Sequence, residues 1–207
     1  MTQKAARTQR ELPREVRIIG GQWKRTKLPV ADRPGLRPTP DRVRETLFNW
    51  LGQDLSGWRC VDAFAGSGAL GFEAASRGAA EVAMLERDGV LVRHLQATQQ
   101  RLGASTVQVE RGDALGWLAR AAPESFDLVF LDPPFDDPRL LALAIVAASR
   151  VVRVGGLVYV EAATPLEPVA GAEALEPWRS AKAGSVHFHL LRLRDFPNPA
   201  STSVLLA

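Results

Sequence analysis

The sequence predicts an α/β fold in which a mostly parallel sheet has helices on both faces. Two observations support this prediction. Between residues 59 and 161, short apolar runs alternate with segments of helical periodicity, the pattern of strand–helix–strand units with right-handed crossovers. One of these runs, residues 126–131, is apolar almost throughout, as expected for a strand that is buried on both faces.

The N-terminal part of the chain is predicted to be an extension of this fold. Residues 1–14 are polar, basic and without periodicity, so we expect a disordered basic tail. Residues 15–36 contain two short runs around Gly20 and Gly21 and predict a β-hairpin. Basic side chains alternate here with Trp23, a combination that binds phosphates and stacks bases; a surface hairpin with incidental charge is the alternative. We predict nucleic-acid contacts for Arg17, Trp23, Lys24, Arg25, Lys27 and Arg42.

A helix is predicted after the hairpin, because residues 43, 47, 50 and 51 are apolar with helical spacing. It should begin near Asp41. Thr39 or Asp41 is the predicted cap, and Pro40 fits the first turn. The corner formed by Arg37 and Thr39 is a candidate ligand contact, although the start of a helix would explain it equally well.

The alternating region supplies the remaining elements of residues 37–194, the main domain. Strands are predicted at 59–64, 81–86, 106–110, 126–131 and 156–161, and helices at 72–77, 89–102, 114–120 and 138–149. Residues 178–182 and 186–193 flank Ala183-Gly184-Ser185 and predict an antiparallel hairpin that completes a seven-stranded sheet. Residues 195–207 have two prolines and no usable pattern, so we expect a C-terminal tail.

Composition narrows the class of protein. The chain has 207 residues, 46% hydrophobic and 24% charged, which is ordinary for one soluble domain. No apolar stretch is long enough for a membrane span, the first residues do not resemble a signal peptide, and we expect a cytoplasmic protein. Cys60 is the only cysteine, which excludes an internal disulfide and a Cys-rich zinc site; no other cluster of ligands predicts a metal.

Charge is distributed unevenly along the chain. Residues 1–44 have 12 Lys and Arg against 4 Asp and Glu, a net charge of +8, whereas residues 45–207 have 14 against 19, a net charge of −5. A basic arm on a mildly acidic body is typical of a protein that binds nucleic acid at one end.

A glycine turn follows the first strand of the alternating region. Residues 66–71 match G-x-G-x-x-G, and Glu86 lies 18 residues after Gly68, a spacing found in sites for nicotinamide dinucleotides. Asp62, four residues before Gly66, would lie poorly beside a pyrophosphate but suits a ligand with a cationic amino-acid end. Asp113, after the third strand, could accept a hydrogen bond from adenine. Each acid could also be a helix cap, but the ordered set favours S-adenosylmethionine.

The fourth strand ends in Asp132-Pro133-Pro134-Phe135. Each proline lacks a backbone donor and disfavours helix in the residue before it. The corner therefore offers the Asp132 carboxylate, the Pro133 carbonyl and the aromatic ring of Phe135. It suits a flat group with N–H donors, such as the exocyclic amine of a nucleobase. A strand followed by a proline turn is the alternative.

Together these motifs resemble the class I S-adenosylmethionine-dependent methyltransferases, and Asp132–Phe135 resembles the motif shared by DNA adenine-N6 and RNA guanine-N2 enzymes. Residues 17–29, 37–49 and 62–71 more narrowly resemble the RsmD family of small-subunit ribosomal RNA guanine-N2 methyltransferases. The resemblance implies a Rossmann-like fold and methylation of the N2 amine of a guanine in 16S ribosomal RNA. We expect this RNA to lie within a small-subunit particle, with naked RNA as the alternative, and a chain of this size can work as a monomer. S-adenosylmethionine would be the cofactor and S-adenosylhomocysteine the product. The implied catalytic residues are Asp132, Pro133, Pro134 and Phe135, and the implied cofactor contacts are Asp62, Phe64, Gly66, Gly68, Glu86, Arg87, Asp113, Ala114, Arg37 and Thr39.

Other classes of protein make different demands on the sequence. An amino-methyltransferase acting on DNA adenine or protein glutamine would use the same motifs. A nicotinamide oxidoreductase would leave Asp132–Phe135 without a role, and a non-catalytic RNA-binding module would need no complete cofactor site. Methylation of a pyrimidine at carbon 5 would need a nucleophilic cysteine, whereas Cys60 lies in the first strand of the alternating region and is predicted to pack in the core.

Overall fold

The computed structural model describes residues 15–33, 36, 38–134 and 137–195. The predictions for the tail at 1–14 and for residues 196–207 lie outside this part of the chain. The described strands are β1 (Glu15–Arg17), β2 (Lys27–Pro29), β3 (Arg59–Asp62), β4 (Glu81–Glu86), β5 (Val107–Arg111), β6 (Phe126–Leu131), β7 (Val152–Ala162), β8 (Leu175–Ala183) and β9 (Val186–Leu193). The described helices are α1 (Asp41–Trp50), α2 (Ala69–Ser76), α3 (Gly89–Leu102), α4 (Ala114–Arg120) and α5 (Pro138–Val151).

The main sheet has seven strands in the order β5-β4-β3-β6-β7-β9-β8. The strands β3 to β7 are parallel, and β9 and β8 complete the sheet in antiparallel fashion. This arrangement confirms the predicted fold class. After β5 the chain returns to the other side of β3, so the strand order reverses between β3 and β6. Ligands of open α/β sheets bind in the crevice at the carboxyl ends of the strands at such a reversal.

Both faces of the sheet are covered by a hydrophobic core. Because side chains alternate along each strand, a single strand contributes to both cores. On β6, Leu128 and Phe130 belong to the core shared with α1, α2 and the N-terminal strands. Val129 and Leu131 belong to the core shared with α4 and α5. Full burial of a side chain of this size contributes about 1.5–3 kcal/mol. Because β6 is the middle strand of the sheet and contributes to both cores, it is the central strand of the fold.

Several element boundaries differ from the sequence prediction. Helix α2 begins at Ala69, three residues early, because Gly68 takes a left-handed conformation (φ 79°) and the helix starts directly after it. The predicted caps of α1 are wrong. The cap position is Pro40, and no side chain caps the helix; Asp41 instead accepts a 2.6 Å hydrogen bond from Arg44.

The N-terminal hairpin pairs β1 with β2 and buries Val16 opposite Leu28. Its connection is longer than the predicted Gly-Gly turn, because residues 18–26 all lie between the strands. Gly20 and Gly21 lie instead against the end of α2. A Cβ on Gly21 would approach the Ser76 carbonyl oxygen to 1.8 Å, and Gly21 has φ +73°. The glycine pair therefore allows close approach to α2 rather than reversing the chain.

Candidate functional site

Three carboxylates meet at the carboxyl ends of β3, β6 and β7. In the sheet, Asp62 is paired with Phe130 and Leu131 with Val160, so Asp62, Asp132 and Glu161 follow one another on neighbouring strands. The alternation of side chains places all three on the face that is covered by α1 and α2. They occupy the crevice at which the strand order reverses.

The surroundings of these carboxylates favour their protonated forms. Burial, followed by the neighbouring charge of Glu86, raises the pKa of Asp62 to about 7, although a hydrogen bond from Gly71 opposes the shift. Desolvation and then the charges of Glu161 and Asp62 raise the pKa of Asp132 well above its usual range. Burial also raises the pKa of Glu161. All three shifts reflect the cost of placing negative charge in one buried crevice.

Two hydroxyl groups contact this cluster. The Tyr159 hydroxyl donates a 2.9 Å hydrogen bond to Glu161. The buried Thr39 hydroxyl lies 3.5 Å from Asp132 Oδ2, a long hydrogen bond of a kind that often tightens when a substrate binds. A hydrogen bond from Thr39 partly opposes the upward pKa shifts of both Asp132 and Glu161, so its hydroxyl lies close to both carboxylates. The neighbouring Arg37, predicted as a ligand contact, lies outside the described residues.

The glycine turn between β3 and α2 is held by carboxylates on two sides. Gly66 and Gly68 have positive φ angles of 51° and 79°. The Gly66 amide donates a 3.0 Å hydrogen bond to Glu86, and the Gly71 amide donates a 3.0 Å hydrogen bond to Asp62. The structure thus brings together four of the residues that were predicted as cofactor contacts: Asp62, Gly66, Gly68 and Glu86.

The remaining predicted cofactor contacts lie around the same edge. Asp113 is exposed and caps α4 by accepting a 2.7 Å hydrogen bond from Gly116. One of its carboxylate oxygens therefore serves as the helix cap that was the alternative interpretation. Ala114 is buried, Phe64 is half-buried just after β3, and Arg87 is exposed after β4. At the end of β6, Pro133 is buried and Pro134 exposed; Phe135 lies outside the described residues.

This arrangement can be compared with the needs of two classes of cofactor. A pyrophosphate requires free backbone N–H groups at the glycine turn, but the amides of Gly66 and Gly71 already donate to carboxylates. The acidic strand ends instead offer acceptors. Glu86 accepts two backbone hydrogen bonds and retains lone pairs for hydroxyl donors. The residues fit a ligand with amine, hydroxyl and cationic groups, such as S-adenosylmethionine, better than a nicotinamide dinucleotide.

The residues predicted to contact nucleic acid lie on the hairpin and at the start of α1. Those with exposed side chains are Arg17, Lys24, Arg25, Lys27 and Arg42. Lys27 pairs with Glu15 at 2.7 Å, and Trp23 is half-buried against the core. Both side chains are therefore less available for nucleic-acid contacts than the sequence indicated. A surface cavity of about 490 Å³ between the loop and α1 is lined by Lys24, Glu45 and Asn49 among others.

Sequence reasoning missed four residues around the site. Glu161 lies at the carboxyl end of β7, as Asp62 and Glu86 do on β3 and β4, so attention to acids at strand ends could also have found Glu161. Tyr159, Arg44 and Glu73 are fully buried, and no local pattern predicted burial of these polar side chains. Cys60 is buried in β3 as expected, and burial raises its pKa, which does not suit a nucleophile.

Within the described ranges, no three His, Cys, Asp or Glu side chains are grouped so that they could hold a metal ion. Among the helices described, none combines the length and apolar character needed to cross a membrane.

Comparisons with known proteins give a consistent result. The family described as "Conserved hypothetical protein 95" matches residues 16–192. Ribosomal RNA small subunit methyltransferase D of Escherichia coli (strain K12) is 50% identical over 121 residues, 58% of this chain and 61% of that protein. The match therefore spans less than two thirds of the E. coli relative. The Haemophilus influenzae protein of the same name is 44% identical over 151 residues, 71% of this chain and 78% of that protein.

Solved structures have the same fold. The structure of yhhF from E. coli, described as a candidate methyltransferase, is 40% identical with a TM-score of 0.75, over 87% of this chain and 98% of that one. A precorrin-6y C5,15-methyltransferase from Geobacter metallireducens has a TM-score of 0.63 at 17% identity, over 80% of this chain and 94% of that one, and shows the fold alone.

Proposed function

The chain belongs to the family of ribosomal RNA small subunit methyltransferase D proteins, and from this we propose that it methylates the exocyclic N2 amine of a guanine in 16S ribosomal RNA with S-adenosylmethionine. The observation that supports this most directly is the position of Asp132 and Pro133. They follow the central strand β6 beside the glycine turn of the adjacent strand β3. A methyl donor at the turn and an amine at Asp132 would therefore share one crevice.

The chain's own residues would hold the donor by the contacts that the sequence predicted. Glu86 and Asp113 would accept hydrogen bonds from hydroxyl and amine groups, and the glycine turn would allow close approach of the backbone. Phe64, Arg87, Ala114, Arg37 and Thr39 would complete the surroundings. Asp62 holds the turn in place through Gly71. When bound, the cofactor would supply an electrophilic methyl group on a sulfonium.

Catalysis would depend on how the amine is held. The N2 lone pair of guanine is delocalised into the ring and is a poor nucleophile. We propose that the base leaves its stack and that Asp132 and the Pro133 carbonyl accept hydrogen bonds from the amine, with Phe135 stacked on the ring. Such positioning can lower a barrier by up to ~7–11 kcal/mol. Acceptors in a desolvated site also stabilise positive charge that develops on nitrogen.

A proton must leave the amine when it gains the methyl group. The carboxylate of Asp132 is the proposed acceptor, because it would lie within hydrogen-bond reach of N2 and its pKa is raised. A carboxylate with a raised pKa takes up a proton more readily than an ordinary aspartate. Solvent at the carboxyl edge of the sheet would then receive the proton from Asp132.

We further propose that the hairpin binds the RNA around the target guanine. Lys24, Arg25 and Arg42 have exposed positive charges on the hairpin loop and on α1, and Lys24 lines the cavity between the loop and α1. The substrate would be RNA within a small-subunit particle, the enzyme a monomer, and the compartment the cytoplasm. The net charge of +8 on residues 1–44 supports RNA as partner.

The test is transfer of labelled methyl from S-adenosylmethionine to small ribosomal subunits that lack their own modifications, followed by nucleoside analysis. Label in N2-methylguanosine of 16S RNA is the expected result. DNA and protein are offered as substrates in parallel reactions. Label in N6-methyladenosine or in protein glutamine would support amino-methylation but overturn the proposed guanine substrate. Binding of the cofactor without any transfer would favour a non-catalytic RNA-binding module.

A further inference from the structure

Arg44 is a fully buried arginine that joins four segments of the chain. Its Nε donates to the Thr39 carbonyl at 3.1 Å, and its Nη1 donates to Glu73 on α2 at 3.1 Å. Its Nη2 donates to the Arg17 carbonyl in β1 at 2.8 Å and to Asp41 at 2.6 Å. One guanidinium therefore connects the hairpin, the segment before α1, α1 itself and α2.

The ionic network around Arg44 defines geometry more than it adds stability. Glu73 is also buried and pairs with both Arg44 and Arg77, while Glu73 accepts hydrogen bonds from Ile19 and Gly20 in the hairpin loop. Burial lowers the pKa of Arg44 despite the charges of Glu73 and Asp41, which reflects the desolvation penalty of such a site. Buried ion pairs are weak stabilisers compared with apolar packing, but the planar fork of an arginine fixes the orientation of its partners.

Arg44 is connected through Thr39 to the carboxylate of Asp132. Arg44 holds the carbonyl of Thr39, and the hydroxyl of the same residue lies 3.5 Å from Asp132 Oδ2. We propose that Arg44 is a positioning residue that couples the seating of the N-terminal hairpin, through Thr39, to the orientation of Asp132. This inference rests on the proposed function, in which the hairpin binds RNA and Asp132 accepts the N2 amine.

The coupling has a direction that follows from the contacts. RNA bound to the hairpin would fix the Arg17 carbonyl, and Arg44 would in turn fix the Thr39 segment. The hydroxyl of Thr39 would then approach Asp132 and shorten a hydrogen bond that is long in the free protein. Because this hydrogen bond opposes the upward pKa shift of Asp132, it would favour the ionised carboxylate that accepts the amine.

The experiment compares Arg44→Lys with Arg77→Lys in the full chain. Both variants replace a buried arginine that pairs with Glu73, and both retain the positive charge. Of the two, only Arg44 contacts the Thr39 segment, whereas the guanidinium of Arg77 donates its hydrogen bonds to Glu73 and Gln53. Methyl transfer to small subunits is measured as kcat and KM over a range of pH, with S-adenosylmethionine affinity and thermal unfolding measured alongside.

Arg44→Lys should lower kcat by roughly 10- to 100-fold, the loss that a displacement of about 1 Å in a catalytic group produces. It should also move the acid limb of the kcat profile to higher pH, because Asp132 loses the hydrogen bond that lowers its pKa. Cofactor affinity should stay within a few-fold. Arg77→Lys should lower the unfolding temperature while kcat and its pH profile stay close to wild type. Equal losses of kcat, or equal pH shifts, in the two variants would overturn the positioning role.

If Arg44→Lys does not fold, Thr39→Val and Thr39→Ser decide the question. Thr39→Val should reproduce the loss of kcat and the pH shift, and Thr39→Ser should restore both because it retains the hydroxyl. An unchanged pH profile in Thr39→Val would overturn the proposal. The wild type is assayed in every series. Absence of transfer by the wild type would overturn the proposed function itself, which is a different result from an active wild type with indistinguishable variants.

Discussion

At the scale of single residues, Asp132 combines a fixed backbone with an unusual electrostatic environment. Two prolines follow it and limit the backbone conformations that can occur there. Glu161 lies beside it on the next strand, and Asp62 contributes a further charge. The backbone at Asp132 is therefore restricted, and the charge of its side chain depends on its neighbours.

We predict that Asp132→Ala abolishes methyl transfer and leaves S-adenosylmethionine affinity within a few-fold of wild type. The alanine removes the acceptors for the amine, while the glycine turn, Glu86 and Asp113 stay in place. Asp132→Asn is the matched control. It retains one acceptor oxygen without the charge, so it should lose less activity than the alanine variant. Ordinary turnover by a folded Asp132→Ala protein would contradict the role assigned to this residue.

We predict that Glu161→Gln moves the acid limb of the kcat profile to lower pH. The charge of Glu161 raises the pKa of Asp132, so a neutral glutamine lowers that pKa and Asp132 stays ionised in more acidic solution. Kinetics between pH 5 and 9 measure the shift. Asp54→Asn is the control, because Asp54 is exposed, accepts hydrogen bonds from Ser56 and is not among the charges that raise the pKa of Asp132. A profile for Glu161→Gln that matches wild type would show that the two carboxylates titrate independently.

At the scale of elements, the N-terminal hairpin is attached to the main sheet by α2. Its loop amides donate to Glu73, and Ser76 contacts Gln22 and Trp23. These contacts position the exposed basic residues of the hairpin against α2.

We predict that charge reversal in the hairpin weakens RNA binding and reduces its salt dependence. Lys24→Glu and Arg25→Glu should each lower affinity and flatten the slope of log affinity against log salt by about one phosphate contact. Lys27→Glu should have a smaller effect, because Lys27 already pairs with Glu15. Binding to 16S RNA at several salt concentrations measures these slopes.

Arg120→Glu provides a control with the same change in charge. Arg120 is exposed in the last turn of α4, at the opposite end of that helix from Asp113 and the carboxyl edge of the sheet. Its reversal should change the slope much less than reversal at Lys24. Equal effects at Arg120 and Lys24 would show that overall charge, rather than the hairpin, determines RNA affinity.

At the scale of the whole molecule, the buried acids should make folding stability depend on pH. Burial raises the pKa of Asp62 from an ordinary 3.8 to about 7. Between these two values the folded state binds more protons than the unfolded state. The free energy of unfolding therefore decreases as pH rises through this window, and the contribution of protonated Asp62 is complete only below the unfolded pKa.

We predict that wild type loses stability relative to Asp62→Asn as pH rises from about 4 to 7. The asparagine does not titrate, so the difference between the two proteins isolates Asp62 from other groups, such as His189, whose pKa is lowered. Urea unfolding at each pH gives the free energies. Asp54→Asn, at an exposed acid whose pKa is lowered, should show no such trend above pH 5. A constant difference between wild type and Asp62→Asn would mean that Asp62 titrates normally.

Much of this architecture could be predicted because its signals are local. The bounds of β4, α3, α4 and β6 agree with the sequence prediction to the residue, since apolar periodicity and glycine positions determine them. The acids at the strand ends could also be predicted to share a site, because the carboxyl ends of parallel strands meet at one edge. The glycine turn between β3 and α2 was recognised from its spacing alone.

Other features were decided only by the tertiary structure. Arg44 is not one of the apolar positions that predicted the helix, yet it is buried between Arg17 and Glu73, which lie 27 and 29 positions away along the chain. Thr39 was predicted as a cap and instead contacts Asp132, 93 positions away. The sequence by itself determined which elements form, because backbone preferences depend on neighbouring residues. The tertiary structure decided which charges are buried and what they contact, because desolvation and pairing depend on residues that only the fold brings together.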